Sequence, residues 1–142
     1  FAGNAPQVVK AEALRGEFYL LPEQAEIFGP TLVFEPKFSN LGYWKNAADR
    51  AEWELEVAKA GTYDVWLEYA LPPNAGGEFV LEAPDSRLRG QSATTGSWER
   101  YNTVALGPLT LASGRQRLVV RAEGEPKEAL FDLKSVRIKP RN

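Results

Sequence analysis

The residues of this chain best spaced for acid–base chemistry are three glutamates in alternation, Glu52, Glu54 and Glu56, within Ala51-Glu52-Trp53-Glu54-Leu55-Glu56-Val57. Two carboxyl groups about 5–5.5 Å apart across a glycosidic bond would make a retaining glycosidase. Residues i and i+2 of a strand fall near that spacing, but on an open pleated face with nothing to exclude water or raise a pKa. The three acids read as a solvated strand face. Composition removes most other chemistries, because the 142 residues include no Cys, no His and no Met. Zinc thiolate sites, thiol nucleophiles, imidazole-ligated metals and Ser-His-Asp hydrolysis are excluded. Gly76-Gly77 is followed by neither a Lys-Ser/Thr pair nor a helix, so it is a turn and not a phosphate cradle. Arg87, Arg89, Arg115, Arg117 and Arg121 are dispersed among acids, and 17 Lys+Arg against 19 Asp+Glu leave a net charge of −2. Nucleic acid calls for a clustered basic footprint, which is missing. The expectation is a protein that is not an enzyme and binds no nucleic acid.

The other candidates are aromatic. Trp98 stands among Thr94, Thr95, Gly96 and Ser97, a polar loop in which it either caps the core edge or contacts a ligand. Tyr43 and Trp44 are adjacent, and neighbours on a strand point to opposite faces, so one packs inward and the other is available. Trp53 shares its face with Leu55 and Val57 and reads as core. Trp66 shares its face with Asp64 and Glu68, while Tyr63, Val65, Leu67 and Tyr69 take the other side. Its ring is either covered by a loop or is a platform for a ligand or a neighbouring domain.

The elements that must position these residues have a period of two. Residues 51–57 and 63–69 alternate on either side of Lys59-Ala60-Gly61, which predicts an antiparallel hairpin. Further strands are expected at 8–14, 17–21, 31–35, 78–83, 117–122 and 130–138, with one-turn helices at 23–28 and 47–50. Turn signals separate them at Leu71-Pro72-Pro73-Asn74-Ala75-Gly76-Gly77, Ala112-Ser113-Gly114 and Glu123-Gly124-Glu125-Pro126. The fold class expected is all-β, an antiparallel β-sandwich of the jelly-roll type. One domain spans residues 1–142, with an ordered core at about 8–140 and loose ends at 1–6 and 140–142. A chain that begins at Phe1 and lacks Met is expected to be a piece of a longer, multidomain protein. It has no charged-then-apolar leader and no run of about 18 apolar residues, so no membrane partner is expected. As an isolated domain it is expected to be monomeric.

Six landmarks occur in order: Asn40-Leu41-Gly42-Tyr43-Trp44, Asp49-Arg50-Ala51-Glu52-Trp53, Ala60-Gly61-Thr62-Tyr63-Asp64-Val65, Thr95-Gly96-Ser97-Trp98-Glu99-Arg100-Tyr101, Leu109-Thr110-Leu111-Ala112-Ser113-Gly114 and Phe131-Asp132-Leu133. Together, over residues 9–139, they resemble the carbohydrate-binding modules of family 6 and the neighbouring family 35. Those are lectin-like, non-catalytic jelly rolls, usually appended to secreted polysaccharide-active enzymes. The resemblance implies a sugar ring held between Tyr43 and Trp98, with Asp132 at the position where the family uses an Asn. A carboxylate accepts hydrogen bonds but donates none, so Asp132 shifts the hydroxyl geometry or favours a different ligand. It also implies a second site on the concave sheet face, for which Trp66 is the candidate. The family commonly holds a structural calcium, but the ligand positions here read Lys10-Ala11-Glu12 and Lys134. Two cations there disfavour the ion. No metal is expected, and Glu12 is expected to pair with Lys134, with Glu12 or Glu17 as the residual calcium candidates. The implied partners are a polysaccharide or glycan and other domains of the parent polypeptide. The implied location is extracellular, periplasmic or at the cell surface. The alternative is a sandwich that has lost sugar binding and docks other domains or proteins.

Overall fold

The computed structural model describes residues 4–141. Twelve strands follow one another: β1 (Val9–Lys10), β2 (Phe18–Leu20), β3 (Glu26–Phe28), β4 (Val33–Glu35), β5 (Asn40–Gly42), β6 (Arg50–Val57), β7 (Gly61–Ala70), β8 (Glu78–Ala83), β9 (Ser86–Gln91), β10 (Asn102–Leu111), β11 (Gly114–Ala122) and β12 (Asp132–Pro140). They form two six-stranded sheets. The first runs β1-β6-β11-β8-β9 with β3 also on β6; the second runs β10-β7-β12-β5-β4 with β2 also on β12. All pairings are antiparallel except β1 with β6. The fold is a β-sandwich.

Alternation places the core. On β6, Ala51, Trp53, Leu55 and Val57 are buried, and on β7 so are Tyr63, Val65, Leu67 and Tyr69, as the sequence pattern requires. Both sheets contribute to one cluster, to which each fully buried large side chain adds about 1.5–3 kcal/mol. The buried indoles keep their N–H groups bonded: Trp53 Nε1 donates to Leu21 O at 2.9 Å and Trp44 Nε1 to Asp49 O at 3.2 Å.

The expected 51–57/63–69 hairpin does not form. β6 pairs with β1, β3 and β11, whereas β7 pairs with β10 and β12, so the chain crosses between the sheets at Ala58-Lys59-Ala60. Alternation reports which face of a strand is buried, not which strand lies beside it. Residues 23–28 are not one helical turn but a short 3₁₀ turn, Pro22–Gln24, followed by β3, and 47–50 form a turn leading into β6. The expected loose ends are tied where the structure describes them. Ala5 N–H donates to Glu23 O at 2.6 Å, and Arg141 N–H to Thr62 O at 2.9 Å, while residues 1–3 and 142 lie outside the described residues. β9 and β10 escaped the period-two reading because both are sheet edges. β9 is polar, and β10 contains Gly107 and Pro108, tolerated there because its register steps between Ala105 and Gly107 and its outer edge needs no donors.

The glutamate triple faces arginines across the sheet. Arg117 pairs with Glu26, Glu52 and Glu54, and Arg115 with Glu54 at 3.0 Å and Glu56 at 3.2 Å. Burial works to raise the Glu52 carboxyl, but hydrogen bonds from Arg117 and Arg50 outweigh it and hold the group below its ordinary range. Glu52 is thereby held as an anion. Among the described residues, no helix is long and apolar enough to cross a membrane.

Candidate functional site

One end of the second sheet opens into a cleft of about 670 Å³, lined by Tyr43, Trp98, Asp132, Tyr101, Glu35 and Phe38, with lysines on its rim. That volume lies within the range of small-molecule sites. The structure thus brings together Tyr43, Trp98 and Asp132, which lie far apart in sequence.

Each is set by its own local device. Tyr43 follows β5 with φ +58°, a left-handed conformation that costs a non-glycine residue about 1–2 kcal/mol. Its ring is 55% exposed while Trp44 is fully buried, which resolves which of the two neighbours faces in. The strain is held by Lys45 N–H bonding back to Tyr43 O at 2.9 Å and by the anchored indole of Trp44. Trp98, 36% exposed, hangs from a loop stapled to the end of β7. Thr95 N–H donates to Leu71 O at 2.8 Å, Leu71 N–H to Thr95 Oγ1 at 2.9 Å, and Thr94 Oγ1 to Leu71 O at 2.9 Å. Gly96, at φ +103°, then turns the chain toward the cleft. The polar residues around Trp98 are therefore what fasten it.

Asp132 opens β12 and is half-buried on the cleft floor. Opposite it, Glu35 ends β4, and Asn40 donates from Nδ2 to Glu35 Oε1 at 3.1 Å. Gly42 makes room for both carboxyls: a Cβ there would overlap Glu35 Oε1 and lie 3.2 Å from Asp132 Oδ1. Burial, then the charge of Glu35, pushes the Asp132 carboxyl up to about 7, against a hydrogen bond from Asn40. Burial, then Asp132, Glu35, Glu68 and Glu99, pushes the Tyr101 hydroxyl up to about 12, so it stays a neutral donor. The rim lysines lie over rings: Lys37 Nζ is 5.5 Å from the Phe38 centroid, Lys45 5.5 Å from Tyr43 and Lys134 4.6 Å from Tyr101. Lys134 is aimed there by a register step in β12 between Leu133 and Ser135.

The sign of the Asp132 effect on folding follows. Between about pH 4 and 7 the folded state holds a proton that the unfolded chain has lost, so this stabilisation is complete below pH 4 and vanishes as pH rises through 7. Asp132→Asn, which never ionises, is expected to melt above wild type at about pH 8. Thermal scans should show the gap closing toward about pH 5.

No protein-family model matches the chain, and no curated protein matches its sequence. Its fold, however, has close counterparts among solved structures. A native family 35 carbohydrate-binding module from Clostridium thermocellum superposes with a TM-score of 0.73 at 14% identity, over 88% of this chain and 98% of the module. The C-terminal family 6 module of LamC, a marine laminarinase from Zobellia galactanivorans, gives 0.70 at 17% identity, over 87% and 98%. This chain has the fold of the family 6 and family 35 carbohydrate-binding modules. A Podospora anserina GH26-CBM35 β-(1,4)-mannanase matches at 0.68 and 13% identity, over 89% of this chain but only 28% of the mannanase.

With this module fold in place, the remaining candidates can be located. Glu12 does not meet Lys134. It folds back on its own turn and accepts the N–H groups of Leu14 at 3.0 Å, Arg15 at 2.5 Å and Glu17 at 3.3 Å. Lys134 is on Tyr101 instead, and Lys10 reaches Glu56 at 3.8 Å. Glu17 is buried and bonded to Arg137 at 3.1 Å and to Tyr19 Oη at 3.0 Å. Calcium needs six to eight oxygens, several of them anionic. Residues whose carboxylates already hold N–H groups and a guanidinium do not fit it. Trp66 is half-buried on the open face of the second sheet, in a groove of about 500 Å³. The Arg137 guanidinium from the adjacent strand lies over its ring, 5.1 Å from the centroid, and Leu21, Pro22, Glu23 and Ser39 line the same groove.

Among the cleft residues that were not foreseen are Glu35, Phe38 and Tyr101. Phe38 carried the same signal as Trp98, an exposed aromatic inside a turn, at 36–39. Glu35 carried none, since a glutamate at a strand end is ordinary.

Proposed function

We propose that this chain is a non-catalytic carbohydrate-binding module that tethers a larger parent protein, outside the cytoplasm, to a polysaccharide or glycan. The observation that carries the reading is that two exposed aromatic rings, Tyr43 and Trp98, line one cleft whose floor holds Asp132 and the Tyr101 hydroxyl. The C–H faces of a pyranose pack on aromatic faces, and its hydroxyls take planar polar partners. Glu52, Glu54 and Glu56 are paired with arginines across the first sheet, outside the cleft, and Glu52 is held as an anion that cannot serve as a general acid.

Affinity electrophoresis through a panel of soluble polysaccharides tests it. Tyr43→Ala and Trp98→Ala are each expected to weaken retention about tenfold, the loss of about 1.4 kcal/mol of stacking. Neither ring is buried, so melting temperatures should stay within a few degrees of wild type. A wild-type chain indifferent to every polysaccharide would turn the reading to domain docking, and turnover of chromogenic glycosides by the pure chain would overturn it.

A further inference from the structure

We propose that Glu35 and Asp132 hold one proton between them, and that this proton makes Asp132 a hydrogen-bond donor to a ligand hydroxyl. Glu35 is thereby a positioning residue acting through Asp132. The inference rests on the carbohydrate reading for its ligand and on the cleft floor for its chemistry.

The two carboxyls come from different strands, β4 and β12, yet both border the space above Gly42: a Cβ there would overlap Glu35 Oε1 and lie 3.2 Å from Asp132 Oδ1, so a glycine is what lets them approach. Two carboxylates this close in a half-buried site cannot both ionise cheaply. The surroundings offer little to separate them. From β5, the Asn40 amide, a neutral donor that opposes the proton, donates to Glu35 at 3.1 Å and acts also on Asp132, and its Oδ1 is buried without a partner. Before β10, Tyr101 is neutral, and Glu99 beside it and Glu68 on β7 add negative charge to this end of the molecule. The nearest cations on the lining are Lys37, Lys45 and Lys134, each lying over an aromatic ring. Among the described residues, neither Glu35 nor Asp132 forms an ion pair. Burial and the Glu35 charge also act on Asp132 in the direction this pairing requires.

The consequence concerns recognition. A carboxylate offers a sugar hydroxyl only acceptors, whereas a carboxylic acid offers a donor and an acceptor on one planar group. A hydroxyl bridging the floor could then accept from Asp132 and donate to Glu35. The proton needs no catalyst and goes nowhere; it is retained in the complex and lost to solvent as pH rises.

Two measurements test this on the intact chain. Carboxyl ¹³C titration without ligand should show two separated steps for the pair, the upper one near neutral pH and moved down by Glu35→Gln, which keeps an acceptor for Asn40. Both carboxyls titrating together in the ordinary range would overturn the shared proton. Retention by a polysaccharide that wild type binds should fall about tenfold between about pH 5.5 and 8.5, following the upper step. Glu35→Gln should move that midpoint down by about one unit or more, and Asp132→Asn should bind with no midpoint in the range. Wild-type affinity flat across that span would overturn the donor role even if the titration splits. A split titration with no glycan bound by wild type at any pH would instead overturn the carbohydrate reading and leave the shared proton standing.

Discussion

Asp49→Ala is expected to destabilise the chain by about 3–5 kcal/mol, enough to remove much of the about 5–15 kcal/mol typical of a domain. Asp49 is fully buried, and no cation balances it among the described residues. Its Oδ1 accepts the N–H groups of Thr31 at 2.9 Å and Leu32 at 3.1 Å, and its Oδ2 accepts Asn46 N–H at 3.0 Å and the Thr31 hydroxyl. Alanine would strand three backbone donors in the interior, each costing about 1–3 kcal/mol. Asp49→Asn should be nearly as harmful, because its NH₂ would face one of those donors. Burial works to raise this carboxyl, but the Thr31, Leu32 and Asn46 bonds outweigh it and hold the group below the ordinary range. Its contribution is therefore present above the ordinary aspartate pKa and is lost as pH falls through the depressed value. The gap between wild type and Asp49→Ala in urea unfolding should narrow in acid. The same network positions the cleft, since it pins residues 44–49 directly after Tyr43, and the proposed sugar binding should be lost along with stability.

Phe131→Ala is expected to cost about 3–5 kcal/mol and to lower the melting temperature by roughly 10–20 °C. Phe131 is fully buried, with ring centroids of Tyr69 at 4.9 Å, Phe79 at 5.2 Å and Trp44 at 5.4 Å. Tyr69 belongs to the second sheet, Phe79 to the first and Trp44 to the segment behind the cleft, so one ring joins three parts of the molecule. Alanine would leave a cavity bounded by three rigid aromatics that collapse poorly. Phe131→Leu should lose clearly less, and Tyr43→Ala almost nothing, because that ring is exposed. Differential scanning calorimetry of the three variants checks the order.

Local alternation determined a good deal. It marked the inner faces of β6 and β7 residue by residue, because burial on one face of a pleated strand imposes a period of two and nothing else does. Composition removed thiol and imidazole chemistry, since absent atoms cannot act. The ordered landmarks pointed to the module fold, and two of them, Asp49 and Phe131, prove to be the buried polar and aromatic hubs of the structure. Trp98 was legible as a loop aromatic, and Thr94 and Thr95 around it turned out to be its fastening.

Partner choice was not legible. The expected hairpin failed because β6 and β7 look identical whether they pair or lie in opposite sheets, and pairing depends on β10, β11 and β12 much later in the chain. Glu12 bonded its own turn and not Lys134, for a local N–H is always nearer than a lysine whose aim is set by a distant register step. The meeting of Glu35 with Asp132 was the least visible of all. Each residue alone is an ordinary acid at a strand end, and only the packing of β4, β5 and β12 brings both carboxyls up to Gly42. Sequence determined the faces and the available chemistries; tertiary structure decided which groups meet, because desolvation and like-charge repulsion exist only between groups that the fold has made neighbours.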